Sequence, residues 1–253
     1  MQPFTRSQSR DPDRIRVSLE QLCENLKTRM GDELESIIAY GSFVRFGELV
    51  SEQDSLNLML VVRHVTYEVL DKLAGIISRA EKEIPLSTMI LTREDLISSC
   101  DVFPVKFQDM KLHHRVMIGG DVFIDLSISE SHLRLRCEQL LKNLMLRMRV
   151  AYLQHSHSRK LLLQTLLDAN RQLIQEMHAC LIVKCGMAPD EVVDLPTAYG
   201  EAFGLNTDVV NEVFAIRQEK QLMQLDELKA KFGRLMQLVQ DSAKAMDELE
   251  VSS

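Results

Sequence analysis

The chain has 253 residues, 45% hydrophobic and 26% charged, with a net charge of −7 and a pI near 5.6. That length suffices for one large domain or two modest ones, and the acid excess argues against a broad basic surface for duplex nucleic acid. No apolar run reaches the ~18 residues of a membrane span, and five scattered cysteines without a CxxC pair argue against zinc or a disulfide framework, so reduced thiols in a cytoplasmic protein are expected.

The opening MQPFTRSQSRDPDR is polar, lacks the apolar core of a secretory signal, and is read as a flexible tail over 1–12. A helix is expected over about 14–30. Short apolar runs follow: LESIIAY (34–40), LNLMLVV (56–62) and LSTMILT (86–92), each of strand length and bounded by turn or charged residues. Between the last two, Val69, Leu70, Leu73, Ile76 and Ile77 recur at helical spacing within 65–83. VFPVKF (102–107) and VFIDLSI (122–128) are further strand candidates, the first demoted to an edge or a strand start by Pro104. His113, His114 and Arg115 are taken as neighbours on a helix, about 100° apart and exposed, rather than as ligands of one ion.

Beyond residue 128 the period changes from strand to helix. Ser129 or Ser131 caps a helix whose Leu133, Cys137, Leu140, Leu141, Leu144, Met148 and Tyr152 form one stripe. His155-Ser156-His157-Ser158 breaks it. A second helix over 159–184 stops at Gly186, a short one lies near 196–203, Asn206-Thr207-Asp208 caps another, and 220–249 is the last. Leu222, Leu225, Leu228, Phe232, Leu235, Met236 and Val239 of that helix suit either bundle packing or a dimer seam. The change of period predicts an α/β domain over 13–128 joined to a helical bundle over 129–253.

The stretch AYGSFVRFGELVSEQDSLNLMLVV (39–62) sets an apolar strand before Gly41-Ser42, then a polar loop and a second strand. With Arg45 and Gly47 after the turn, it resembles the nucleotidyltransferase superfamily, the DNA polymerase beta-like fold. The resemblance covers about 30–125, continued by DVFPVKFQDMKLHHRVMIGGDVF (101–123). It implies the α+β class, a small mixed sheet with flanking helices followed by an all-α bundle.

The resemblance also implies a chemistry. Such enzymes attack the α-phosphorus of a nucleoside triphosphate with two Mg²⁺ ions, held by carboxylates at i and i+2 of the second strand and a third on a neighbouring strand. Ser55 and Asn57 fall on the first two positions. Asp54 has the parity of Leu56 and Leu58, so a slip that recruited it would turn leucines into the cleft. The third position is expected on FPVKF, with Lys106 at its centre and Asp109 or Asp125 as other candidates. Three uncharged or cationic residues there describe a catalytically inactive member with no catalytic residues and no metal, acting in nucleotide sensing or protein interaction. Gly41, Ser42 and Lys106 are its candidate nucleotide-binding residues, through backbone N–H groups and a cation beside a triphosphate.

Two other readings stand beside this one. One is an active Mg²⁺-dependent nucleotidyltransferase that modifies a small molecule or protein through Glu52, Asp54, Asp109 or Asp125. The other is a helical scaffold, with a protein partner or a homodimer on the C-terminal helices. The helical half also resembles HEPN domains, some of which are ribonucleases with an Arg-x4–6-His motif; Arg149 with His155 and Arg171 with His178 match by count. Arg134, Arg136, Lys142, Arg147 and Arg149 make a local basic run, read as a solvated face or as partners for acidic groups.

Overall fold

A computed structural model describes residues 11–47, 49, 55–216 and 223–250. The chain divides after Ile128 into two compact units, the second beginning at Ser129.

In the first unit, α1 (Pro12–Met30) starts where local chemistry permits. The Asp11 carboxylate accepts from the Asp13 N–H, and Pro12 occupies a first-turn position that has no N–H to satisfy. Strand β1 (Leu34–Tyr40), the short helix α2 (Ser42–Phe46) and β2 (Leu56–Val62) follow. Helix α3 (Tyr67–Ala80) is capped by the Thr66 hydroxyl, and it returns the chain to β3 (Leu86–Leu91), parallel to β2. Helix α4 (Arg93–Ser99) opens with a Thr92/Asp95 capping box, and α5 (Pro104–Leu112) leads to β4 (His114–Gly119). The sheet order is β3-β2-β1-β4, with β1 antiparallel to both of its neighbours.

Each sheet face carries its own core. Leu56, Leu58, Leu60 and Val62 of β2 pack with α1 and α3; Met59 and Val61 point the other way, onto Leu96 of α4 and onto Phe107 and Met110 of α5. Period-2 alternation along a doubly covered strand gives this division directly.

Three expectations are corrected. The 102–107 segment is not a strand: Pro104 takes the first helical turn, and Pro104, Phe107 and Met110 are buried at three-residue spacing on one helix face. Residues 122–125 form a turn and 126–128 an irregular segment. The Asp121 carboxylate accepts from the Phe123 N–H at 2.8 Å, and Val122, Phe123 and Leu126 enter the core without strand pairing. His113 ends α5, and His114 and Arg115 begin β4, which therefore faces them to opposite sides of the sheet.

The close pairing of β4 with β1 depends on Gly119. Its φ is +81°, and a Cβ there would lie 2.0 Å from the Glu35 carbonyl oxygen. Beside it, the Ser36 hydroxyl donates to Gly120 O at 2.6 Å and lies 3.0 Å from Ile118 O.

The second unit is helical: α6 (Glu130–His155), α7 (Arg159–Cys185), α8 (Leu195–Phe203), α9 (Asp208–Ile216) and α10 (Leu225–Asp247). Ser129 and Ser158 cap α6 and α7 with their hydroxyls, and left-handed Gly186 ends α7. On α6, Leu133, Cys137, Leu141, Leu144 and Met148 are buried, whereas Leu140 and Tyr152 are half-buried. Leu228, Phe232, Leu235 and Val239 of α10 are buried inside this unit, against α6 and α7; Leu222 lies outside the described residues. Among the described residues, no helix is long and apolar enough to cross a membrane.

Part of the basic run is internal to this packing. Buried Glu138 pairs with Lys142 and with Arg134 (3.1 Å), and Arg134 also donates to the Met246 carbonyl at 2.8 Å, tying α6 to the end of α10. The Lys142 ammonium, helped by Arg134, holds the Glu138 carboxyl below its ordinary value. Cys23, Cys100, Cys137 and Cys180 are buried and Cys185 is exposed; burial pushes the Cys23 thiol up to about 12.

Three outcomes follow. Gly119→Ala should cost roughly 2–4 kcal/mol in urea denaturation, from positive φ and the clash with Glu35. Glu138 has a depressed folded-state pKa, so its stabilisation is present above the unfolded value of about 4.3 and is lost as pH falls through the folded one. Glu138→Gln should therefore cost about 1–2 kcal/mol at pH 7, and the gap to the parent should narrow below pH 4. In the native protein one thiol, Cys185, should react rapidly with Ellman's reagent and five only in denaturant.

Candidate functional site

β1 ends at Tyr40 and the chain reverses at Gly41, whose φ of 86° and ψ of −158° lie in a region only glycine adopts readily. The Gly41 carbonyl accepts from the N–H groups of Val44 and Arg45, both at 3.1 Å, which starts α2 at Ser42. Buried Phe43 anchors that helix, and left-handed Gly47 ends it by donating to the Phe43 carbonyl at 3.0 Å. Arg45 and Gly47 are thus the last turn and the cap of one short helix, with Phe46 between them.

The turn lies directly on Asn57. A Cβ on Gly41 would stand 2.8 Å from Asn57 Nδ2, the movable end of a side chain, so it is the backbone angle that requires glycine here. The register then places Asn57 beside Tyr40 of β1 on one side and Ser87 of β3 on the other, and Tyr40 beside His114 of β4. Partners across a ladder share a face. Ser87, Asn57, Tyr40 and His114 form one lateral row across the sheet, on the side of Met59 and Val61, with Ser55 preceding β2 at the same parity.

Chemically the row is polar and poor in anions. Asn57 and Tyr40 are half-buried and Ser87 is exposed. Burial raises the Tyr40 phenol above its ordinary value, which keeps it a neutral donor and acceptor. His114 Nε2 lies 3.2 Å from Asp121 Oδ2, and Nδ1 lies 3.1 Å from the Lys111 carbonyl. Both partners offer oxygen atoms to the ring nitrogens. That ring also rests on Phe123, centroids 4.7 Å apart. His114 is thus a partly buried, paired residue and not an exposed polar one.

Mg²⁺ is the metal the fold family implies, and it wants carboxylate, water and phosphate oxygens. Ser55, Asn57 and Ser87 supply hydroxyl and amide groups only, so these residues do not fit it. Among the described residues no three His, Cys, Asp or Glu side chains converge in a metal-holding group. Lys106, expected on a strand beside β2, is exposed on α5. Asp109 is on α5 too, and Asp125 is exposed in the turn after β4. Glu52 and Asp54 lie outside the described residues. The strand that does flank β2 is β3, and Ser87 is the residue of it beside Asn57. The signal for Ser87 was present in its alternation with Met89 and Leu91, but the pairing of β3 with β2 is a tertiary fact.

The Arg/His pairs of the helical half are held differently. Arg149 reaches Gln240 at 3.4 Å and His155 Nδ1 contacts the Thr165 hydroxyl at 2.8 Å, so each is engaged with a different helix. Arg171 and His178 do share a face of α7, and Arg171 pairs with Asp168 at 3.3 Å.

No family model matches the sequence, and no curated protein matches it. Among solved structures, the chain is similar to spectinomycin adenyltransferase AAD(9) from Enterococcus faecialis, whose crystal structure holds ATP and spectinomycin. The TM-score is 0.53 at 11% identity, over 89% of this chain and 99% of that one. A likeness at that identity concerns architecture, and with the β1-Gly41-α2-β2 arrangement it establishes that this chain has the nucleotidyltransferase fold.

Proposed function

We propose that this protein is a nucleotidyltransferase-fold protein that has given up metal-dependent nucleotidyl transfer and uses the Gly41 turn for nucleotide sensing coupled to protein interaction. The observation that carries the reading is the row itself: the positions where two strands bring polar side chains together read Ser55, Asn57 and Ser87. Losing one carboxylate leaves a weakened metal site. With none, two divalent cations beside a triphosphate have no anionic protein ligand there, and in-line attack on the α-phosphorus loses both its charge neutralisation and its positioning.

Nucleotide affinity survives this loss more easily than catalysis does. Backbone N–H groups at a glycine turn need no carboxylate to meet a phosphate, and removing negative charge near the turn lowers repulsion with an anion. The ATP in the AAD(9) structure supports a nucleotide as the ligand class. Lys106, exposed on α5, is the candidate cation beside the phosphates in this reading. Transfer to an acceptor would need carboxylates from Glu52, Asp54, Asp109 or Asp125.

The test is thermal unfolding with each nucleoside triphosphate, with and without Mg²⁺, beside an assay of pyrophosphate release. The expected result is stabilisation by at least one nucleotide without Mg²⁺, up to ~2.7 kcal/mol at a hundred times the dissociation constant, and no Mg²⁺-dependent pyrophosphate. Restoring carboxylates with Ser55→Asp, Asn57→Asp and Ser87→Glu should make the nucleotide shift Mg²⁺-dependent. Mg²⁺-dependent turnover by the unmodified protein would overturn the reading. Absence of a shift with every nucleotide would reduce the turn to a structural element and favour the scaffold.

A further inference from the structure

The sheet face opposite the row carries a pocket of about 410 Å³, within the size range of small-molecule sites. It is built by the first unit alone, from α1, α2 and the β1–β4 edge. Ala39 forms its floor, and Phe43 and Met117 are apolar walls. Arg16 and Glu20 enter from α1 and Arg115 from β4.

These charged groups are placed by the same alternation that builds the row. Arg115 and Met117 lie on the side of β4 away from His114 and Val116, and Arg115 is paired across the ladder with Ala39. Among the described residues Arg115 has no ion-pair partner. Arg16 touches Asp13 at 3.4 Å, with both side chains more than half exposed, a contact worth little in water. Arg16 lies beside the end of α2, its Nη2 at ordinary contact distance, 3.5 Å, from where a Cβ on Gly47 would stand. Two guanidiniums from separate elements therefore border a cavity of mixed polar and apolar lining, and each can grip an oxyanion bidentately.

We propose that this pocket binds a small organic monoanion, one carboxylate or phosphodiester group on an apolar body. Arg16 and Arg115 take the anionic group, and Phe43 and Met117 take the body. Glu20 sets the charge limit. Among the described lining residues two cations and one carboxylate give a formal charge of +1, which suits a single negative charge and disfavours a polyanion such as a triphosphate. The site is thus distinct in location and in charge preference from the Gly41 turn.

Hexanoate and hexyl methyl phosphate are suitable probes, titrated by calorimetry into the full chain with inorganic phosphate and hexanol as controls. At least one of the two probes should bind saturably, at least tenfold tighter than either control, and the tighter one identifies the head group. Arg115→Ala, an exposed substitution, should weaken it at least tenfold, whereas Asn57→Ala on the opposite face should leave it unchanged. Glu20→Gln should improve pyrophosphate binding. Absence of saturable binding by either probe, or equal affinity in Arg115→Ala, overturns the proposal. Neither result bears on the nucleotide shift, which is read with a different ligand and is expected to survive Arg115→Ala.

Discussion

Backbone pairing on both sides of one strand is the constraint on which the first unit depends. β1 is hydrogen-bonded to β2 and β4, and its Ile37, Ile38 and Ala39 are at most 1% exposed. A strand buried on both faces and paired along both edges has a single usable register, because a one-residue slip would exchange two cores of different shape. The Gly119 approach to Glu35 and the Ser36 hydroxyl pin that register at one end. At the other, the chain leaves through Gly41, whose position over Asn57 is fixed by the pairing behind it.

From that constraint the two candidate binding regions follow as opposite faces of one object. Side chains of one parity make the polar row of Ser87, Asn57, Tyr40 and His114; those of the other put Arg115 and Met117 beside α1 and α2. Mg²⁺-dependent chemistry on this architecture needs anions in the row to hold cations. Here the row offers neutral hydrogen-bonding groups and a paired histidine, and the guanidiniums of Arg16 and Arg115 are on the reverse side. One fold can carry many charge patterns, and function resides in the pattern.

Much of this was legible in the sequence. The helices of the second unit were readable from 3.6-residue periodicity and from caps such as Ser129, Ser158 and Gly186, which are local signals. β1, β2 and β3 were readable as short apolar runs between breakers. Alternation in Phe-Pro-Val-Lys-Phe misled, because five residues can satisfy a strand pattern while Pro104 starts a helix whose face is Phe107 and Met110. The apolar 122–128 run misled in the opposite way, since the carboxylate of Asp121 curls its start into a turn that still buries Phe123. β4 was missed because His114 and Arg115 look like surface polar residues until the ladder with β1 separates them. Ser87 could not be assigned at all without knowing which strand lies beside β2, and that is settled by the α3 crossover rather than by any neighbouring residue.

The sheet order also sets a schedule for the chain as it is made. Ser36 and its partner Ile118 are 82 residues apart, so β1 emerges from the ribosome long before the strand that covers its second edge. β2 can pair soon after synthesis, and α3 and β3 can follow. Throughout that interval a central strand with an apolar middle, Ile37, Ile38 and Ala39, presents an open row of N–H and C=O groups, the arrangement that invites pairing with another chain. Completion of β4 closes that edge, and the same glycine that permits the close approach of the two strands therefore also decides when the nascent domain stops being adhesive.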